Sequence, residues 1–158
     1  MDEIVHVTDR LAPAGATVGD LATIELRRIT DVLQVDHASL FLAEPGGAER
    51  AALIASTGIP LEEALPSHAS VVARVVATGR SQHVQHVQGD PRGARSALAT
   101  PLLDAQRPIG ALLVATLRET RRFGMFEAQV IGRATETLMA RILTPRRRGV
   151  SDRFVRGA

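Results

Sequence analysis

The sequence has 158 residues, of which 45% are hydrophobic and 23% charged, a balance typical of one compact soluble domain. Because it contains no cysteine, disulfides, thiol nucleophiles, thiolate metal sites and thioether-linked cofactors are excluded. All 19 basic residues are arginine and 17 residues are acidic, so the formal net charge is only +2 despite a pI of about 10.7. With no lysine, tyrosine or cysteine to titrate between histidine and arginine, that pI does not indicate a strong positive field.

Neither a membrane span nor a targeting segment is predicted. The longest apolar runs, such as residues 109–115, are far shorter than the roughly 20 residues that cross a bilayer, and no signal-peptide pattern opens the sequence. We therefore expect a cytoplasmic protein. Its charge is uneven, because residues 141–158 hold six arginines and one acid, whereas the rest holds 13 arginines and 16 acids. The sequence thus predicts a mildly acidic body with a basic tail.

The chain is expected to begin with an arm and a helix. Residues 1–16 mix charge with proline and glycine and predict the arm. Thr17, with Asp20 three residues later, forms a variant of the capping box that starts helices. Apolar residues then recur at spacings of three and four to about Val35, which predicts an amphipathic helix.

A hairpin and a short helix follow. Residues 37–43 and 49–57 have the composition of strands and flank a turn rich in proline and glycine. Residues 58–66 are predicted to be a loop. Ser67 then caps a short helix with a valine-rich face, which ends at Gly79.

The second half of the chain predicts three strands and a long helix. Residues 81–87 form the first of these strands, and residues 96–103 and 108–117 form two more, joined by a tight polar connection. Residues 123–143 carry an apolar residue at every fourth position, which predicts the closing helix.

The arginine-rich tail, residues 144–158, is expected to interrupt that helix at Pro145 and Gly149. It is interpreted as a disordered extension, as a linker to an output domain, or as a site for phosphate or an acidic partner at residues 146–148. Nucleic acid is the least favoured partner, because the body is acidic and the tail lacks an aromatic stacking platform.

These elements predict an α+β fold over residues 17–143. Neighbouring strands with short connections imply an antiparallel sheet of five or six strands. The two long helices at the ends of the domain would cover one face, and the short helix and loops would roof the other. Such a roof commonly encloses a pocket.

Four stretches in this order resemble a GAF domain, over about residues 20–143. They are HASLFLAE, VVARVVATGRSQHVQHVQGDPR, RSALATPLLDAQRPIGALLVAT and RRFGMFEAQVIG. The resemblance implies a sensory and regulatory module, with a small-ligand cavity on one face of the sheet, and we expect this member to be non-enzymatic. It also implies terminal helices that form a homodimer and pass a signal to an output domain or partner protein. A collapsed pocket with protein partners only is the alternative.

The composition removes several of the ligands that this family is known to bind. Cyclic-nucleotide-binding members carry an Asn-Lys-Phe-Asp-Glu motif, and this chain has neither asparagine nor lysine. Bilin attachment and methionine sulfoxide reduction use cysteine. Haem-binding members often place a histidine in the loop that corresponds to residues 88–95, which contains none. The cofactor or ligand therefore stays unnamed.

Strand alternation and the resemblance together select the candidate ligand-binding residues. In the first strand, Ala38, Leu40 and Leu42 suit the terminal helices, which leaves His37, Ser39 and Phe41 on the other face. The resemblance favours Ser39 and Phe41 as lining of the pocket. Small polar or apolar side chains on the later strands extend this surface: Ser96, Leu98, Thr100 and Thr116. Buried serine and threonine also bond to nearby carbonyls without any functional role.

Arg95 is the candidate anion anchor, since its guanidinium can grip a carboxylate or phosphate; the competing interpretation is a solvated loop charge. His83 completes the candidate set. Together with His86 it suggests a metal site, but strand residues three apart point to opposite faces, which favours no metal and one packed histidine.

The remaining chemistry-bearing residues are expected to have no role in the site. His37 is interpreted as a surface or strand-edge residue and His68 as solvent-facing in the first turn of the short helix. Glu62 and Glu63 are adjacent carboxylates, and neighbours in a chain seldom converge on one substrate atom. We therefore expect no catalytic residues.

Overall fold

The computed structural model describes residues 17–44, 47–85, 96–117 and 122–156. Its five strands form one antiparallel sheet in the order β2-β1-β5-β4-β3, which confirms the predicted α+β class. The elements in chain order are α1 (Val18–Leu33), β1 (His37–Glu44), β2 (Gly47–Gly58), α2 (Leu61–Ala64), α3 (His68–Thr78), β3 (Gln82–Gln85), β4 (Ser96–Asp104), β5 (Arg107–Thr116) and α4 (Met125–Arg156).

Helix α1 begins with the predicted capping box. The backbone N–H of Asp20 donates to Oγ1 of Thr17 at 3.1 Å, and the backbone N–H of Thr17 donates to Oδ2 of Asp20 at 3.1 Å. The helix ends at Gln34, which has a left-handed backbone with φ 55°. Its buried residues, which include Leu26 and Ile29, form one face, as the spacing of apolar residues predicts.

The two faces of the sheet carry two separate cores. Ala38 and Leu40 of β1 pack with α1 and α4 in the helix-side core, which also contains Leu112 and Val114 of β5. The roof-side core packs α2 and α3 on alternate residues of the strands: Phe41, Ala97, Ala99, Ala111, Leu113 and Ala115. Because side chains alternate along a strand, the apolar sequences of β4 and β5 supply both cores. The predicted arrangement of terminal helices on one face and a roof on the other is confirmed.

Two helices differ from their predicted extent. Residues 61–64 form the short helix α2 inside the segment expected to be a loop, and Leu61 and Ala64 are buried there. Helix α4 continues through Pro145 and Gly149 to Arg156, so the prediction that it ends at Leu143 was wrong. A proline removes one main-chain hydrogen bond, whereas arginine, which is abundant in this segment, has a high helix propensity. In the described ranges, no helix combines the length and the apolar character that crossing a bilayer requires.

Candidate functional site

Three consecutive roof-facing positions of β1 form the centre of the candidate site. His37, Ser39 and Phe41 pair with Ala115, Leu113 and Ala111 of β5, all of which belong to the roof-side core. His37 and Ser39 are completely buried and Phe41 is 4% exposed. The assignment of Ser39 and Phe41 to this face is therefore confirmed. His37 lies on the same face, so its interpretation as a surface residue was wrong.

The chain reversal after β2 holds the ring of His37. Nδ1 of His37 lies 2.5 Å from the carbonyl oxygen of Ile59. Gly58, opposite His37 in the sheet, has φ 87°, and a Cβ there would lie 2.1 Å from the carbonyl oxygen of Asp36. Only glycine allows the end of β2 to lie this close to the start of β1. The reversal therefore places the Ile59 carbonyl against the histidine ring.

This contact determines which nitrogen of His37 is free. A carbonyl oxygen only accepts, so Nδ1 carries the proton and donates. Burial lowers the pKa of His37 and thereby favours the neutral ring, an effect that the Ile59 carbonyl opposes. Nearby His68 also lowers this pKa, and Glu62 raises it slightly. In the neutral ring, Nε2 presents an unprotonated lone pair to the interior.

Two buried polar atoms on this face have no hydrogen-bond partner among the residues that the structure describes. They are Nε2 of His37 and Oγ of Ser39. Buried polar groups in folded proteins are nearly always paired, because an unpaired one costs about 1–3 kcal/mol. The strand floor beside them is built from small side chains, Ala97, Ala99 and Ala115. The roof-side core thus contains a polar corner on an alanine floor.

A surface groove of about 330 Å³ opens on the same face beside Phe41. It is lined by β1, β2 and α3 through Phe41, Glu44, Ala51, His68, Ala69, Val72 and Ala73. The rings of His68 and Phe41 stack with centroids 6.0 Å apart and planes at 25°, and Nδ1 of His68 lies 3.0 Å from the Leu65 carbonyl oxygen. His68 is therefore a wall of the groove, and the expectation that it only faces solvent was wrong.

The other predicted site residues lie across the sheet. Leu98 packs against the helix-side core, and Ser96 and Thr100 share its face by alternation. His83 pairs with Leu98, and its ring meets that of Phe123 edge-on at 5.6 Å. Their assignment to the pocket face was wrong, because the register of β4 against β5 gives Ala97 and Ala99 to the roof.

Thr116 also differs from its predicted role. It pairs with Ser96 on the helix side, and its Oγ1 donates to Oδ2 of Asp36 at 3.1 Å. The same oxygen of Asp36 accepts from the backbone N–H of Leu117 at 2.7 Å, so this cluster fastens β1 to the end of β5. The anion anchor Arg95 lies outside the described residues, as does His86.

The described part of the chain brings no set of metal ligands together at this site. Among the described residues, no three histidine, aspartate or glutamate side chains lie close enough to hold a metal ion. Glu62 and Glu63 are both exposed on α2. The arrangement instead suits non-covalent binding, with an aromatic wall, an apolar helix face and a few buried polar atoms.

Sequence reasoning missed His37 and His68, although a signal for one of them was present. Alternation already placed His37 on the same face as Ser39 and Phe41. Its position at the start of the strand suggested an edge, and only the reversal through Gly58 buries it. No periodicity links His68 to Phe41, because the two residues lie on separate elements.

Comparisons with known proteins agree with this fold. The GAF domain of a phosphoenolpyruvate-protein phosphotransferase from Acinetobacter superposes with a TM-score of 0.68 at 18% identity, covering 93% of this chain and 95% of that one. The free methionine-R-sulfoxide reductase from Neisseria meningitidis, in complex with its substrate, gives 0.65 at 17% identity, covering 87% and 85%. A phycocyanobilin-bound GAF domain from a cyanobacterial phytochrome gives 0.63 at 17%, covering 87% and 90%.

At these identities the structures show the same fold. Curated protein sequences gave no significant match. The family model of the GAF domain matches residues 17–142, which is most of the chain and includes every described strand. The protein therefore belongs to the GAF domain family.

Proposed function

We propose that the protein is a non-catalytic regulatory domain that binds a small molecule between the roof face of its sheet and helix α3. The observation that carries this proposal is the groove at Phe41, which lies on the same sheet face as the buried Ser39 Oγ and His37 Nε2 atoms, both without a hydrogen-bond partner among the described residues. Ligand sites are typically apolar with a few fixed polar groups, and this face has that composition.

Similar structures support the proposal by analogy. The phytochrome domain is described as phycocyanobilin-bound and the reductase as substrate-bound, so this fold accommodates small organic molecules in both. Cysteine chemistry is not available to this chain, because it contains no cysteine. Binding, rather than turnover, is therefore the function that the chemistry of the site favours.

The test is a screen of uncharged and charged heterocyclic metabolites by methyl NMR on the full chain. A ligand of the groove should shift the methyl resonances of Ala51, Ala69 and Val72, which line it. Ala73→Phe should fill the groove and abolish these shifts. Ala77→Phe is the matched control, because Ala77 is exposed on the same helix outside the lining residues. If no compound shifts the methyl resonances of the groove, the ligand-free interaction module is favoured instead.

A second function, dimerisation, is favoured by the surface between the terminal helices. Helices α1 and α4 leave a groove of about 370 Å³ between them, with apolar and polar side chains in its lining: Glu25, Arg28, Ile29, Val32, Val130, Arg133, Ala134 and Thr137. Val32 is 49% exposed there, so an apolar side chain is available for contact with a partner at the edge of this groove. We propose that a second copy of the chain covers this surface, and that the helices pass the signal of ligand binding to an output domain or partner protein.

Sedimentation equilibrium tests the dimer. Val32→Glu should shift the equilibrium to the monomer, because a carboxylate would be desolvated in the interface. Leu53→Glu is the control, since Leu53 is a similarly exposed (45%) apolar residue that pairs with Phe41 on the roof-facing side of the sheet, opposite to α1 and α4. Equal association of both variants and the unmodified chain would contradict this interface.

A further inference from the structure

We infer that the ligand of the roof face is an uncharged, planar ring that donates an N–H or O–H hydrogen bond to Nε2 of His37 and makes a second polar contact with Oγ of Ser39. This inference rests on the proposed function and names the chemical class of its ligand. It follows from four properties of the site: the protonation of the His37 ring, the position of His37 and Ser39 as neighbours on one face of β1, the charge of the surroundings and the aromatic wall.

His37 determines which partner donates the hydrogen bond between ligand and protein. Nδ1 donates to the carbonyl oxygen of Ile59, so the neutral ring offers only a lone pair at Nε2. A ligand that presents a carbonyl or another acceptor to this atom would place two lone pairs against each other. The group that reaches Nε2 must therefore carry a hydrogen.

Ser39 adds a second contact on the same face. Its hydroxyl both donates and accepts, and its Oγ is buried without a partner among the described residues. The Cα atoms of same-face neighbours on a strand are about 6.6 Å apart. One edge of a small ring with adjacent donor and acceptor groups can face both side chains.

The described surroundings disfavour a charged ligand. The side chains of the roof-side core around His37 and Ser39 are mainly alanine, leucine and valine, and Glu62, whose charge raises the pKa of His37, is exposed. Among the described residues an ion placed there would therefore lose its hydration without a buried counter-ion. The described lining of the surface groove beside Phe41 includes Glu44 and no arginine, which disfavours an anion in particular. An uncharged molecule avoids both costs.

Phe41 and His68 favour a planar ligand. Phe41 lines the surface groove and is the next roof-facing residue after Ser39 on β1, and the ring of His68 stacks on it. A flat ring can take the place of His68 against Phe41 and keep the stacking contact, whereas a bulky aliphatic molecule would lose it. The ligand thus reaches the polar corner by displacing His68.

The experiment compares 2-pyridone, an uncharged planar ring with an N–H beside a carbonyl, with N-methyl-2-pyridone, which lacks the donor. We expect 2-pyridone to bind the full chain at least about tenfold more tightly, as one buried hydrogen bond implies. On binding, the ¹⁵N resonance of His37 Nε2 should move upfield, as it does when a ring nitrogen accepts a hydrogen bond. N-methyl-2-pyridone should leave it unchanged.

Two variants separate the contacts. His37→Asn keeps a donor for the Ile59 carbonyl and removes the Nε2 acceptor, so it should bring the two pyridones to similar affinity. Ser39→Ala should weaken 2-pyridone about threefold to tenfold. Ser56→Ala should leave binding unchanged, because Ser56 lies opposite Ser39 on β2 but is exposed.

The outcomes that overturn this inference differ from those that overturn the proposed function. Equal binding of the two pyridones, an unchanged Nε2 resonance, or no binding of 2-pyridone while other compounds shift the groove methyls would each overturn the ligand class alone. An unchanged resonance together with loss of stability in Ser39→Ala would assign both atoms to a bridging water. Failure of every compound to shift the groove methyls would overturn the ligand site itself.

Discussion

Replacing Ser39 with alanine is expected to stabilise the unliganded protein, although most substitutions in a core are destabilising. The side chain is completely buried and its Oγ has no partner among the described residues. The hydroxyl therefore contributes the cost of its lost hydration without the hydrogen bond that normally compensates it. Alanine keeps the Cβ and removes only this atom.

The magnitude follows from two opposing terms. An unpaired buried hydroxyl costs about 1–3 kcal/mol. Removing the oxygen leaves a space smaller than a water molecule, which costs a few tenths of a kcal/mol by the usual relation between cavity volume and stability. The net gain in the free energy of unfolding is about 1 kcal/mol or more, which corresponds to a rise in Tm of about 2–4 °C for a domain of this length.

The assay is thermal and urea unfolding of the unmodified chain, Ser39→Ala and Ser56→Ala. Ser56 is the matched control, because it is the cross-strand neighbour of Ser39 and is exposed, so its substitution should change stability by less than about 0.5 kcal/mol. A fall in the stability of Ser39→Ala of about 1 kcal/mol would refute the reasoning, because it would mean that the hydroxyl has a partner. Stabilisation together with weaker ligand binding would identify Ser39 as a residue retained for function at a cost in stability.

Three further predictions concern the residues that hold β1 in place. Because burial lowers the pKa of His37 in the folded state, the unfolded state binds more protons below pH about 6.5, and stability should fall as the pH decreases from that value, by at most about 1.4 kcal/mol per pH unit. His37→Asn should remove this part of the pH profile of Tm. An unchanged profile would contradict the lowered pKa of His37. Asp36→Ala removes the acceptor for Thr116 and for the backbone of Leu117, so the free energy of unfolding in urea should fall by about 2–3 kcal/mol, against about 1 kcal/mol for Thr116→Val. Equal losses in the two variants would mean that the backbone contact contributes nothing. Gly58→Ala should cost at least about 2 kcal/mol, because its φ is 87° and its Cβ would overlap the Asp36 carbonyl; near-wild-type stability in the same assay would show that the reversal relaxes easily.

The sequence by itself determined the order of the elements and the layers that they form. The capping box at Thr17, the apolar spacing of α1 and the alternation of β1 are local patterns, and each of them reappears in the structure. The hairpin turn between β4 and β5 is local as well: Ala105 and Gln106 both have positive φ, as a two-residue hairpin connection requires. Features that depend on a few neighbouring residues can be predicted from those residues.

Only the tertiary structure decided which residues meet in the candidate site. Strand alternation divides β4 into two sets of residues, but it does not say which set faces the roof, because both contain small or apolar side chains. The register of β4 with β5 places Ser96, Leu98 and Thr100 on the helix side.

Burial of His37 and the stacking of His68 likewise depend on contacts between residues far apart in the chain. His37 is buried because the reversal at Gly58 lies against it, and His68 reaches Phe41 because α3 packs on the sheet. A periodic pattern reports how one element divides its side chains between two faces. It carries no information on the partner that each face meets, and the chemistry of this site arises between elements.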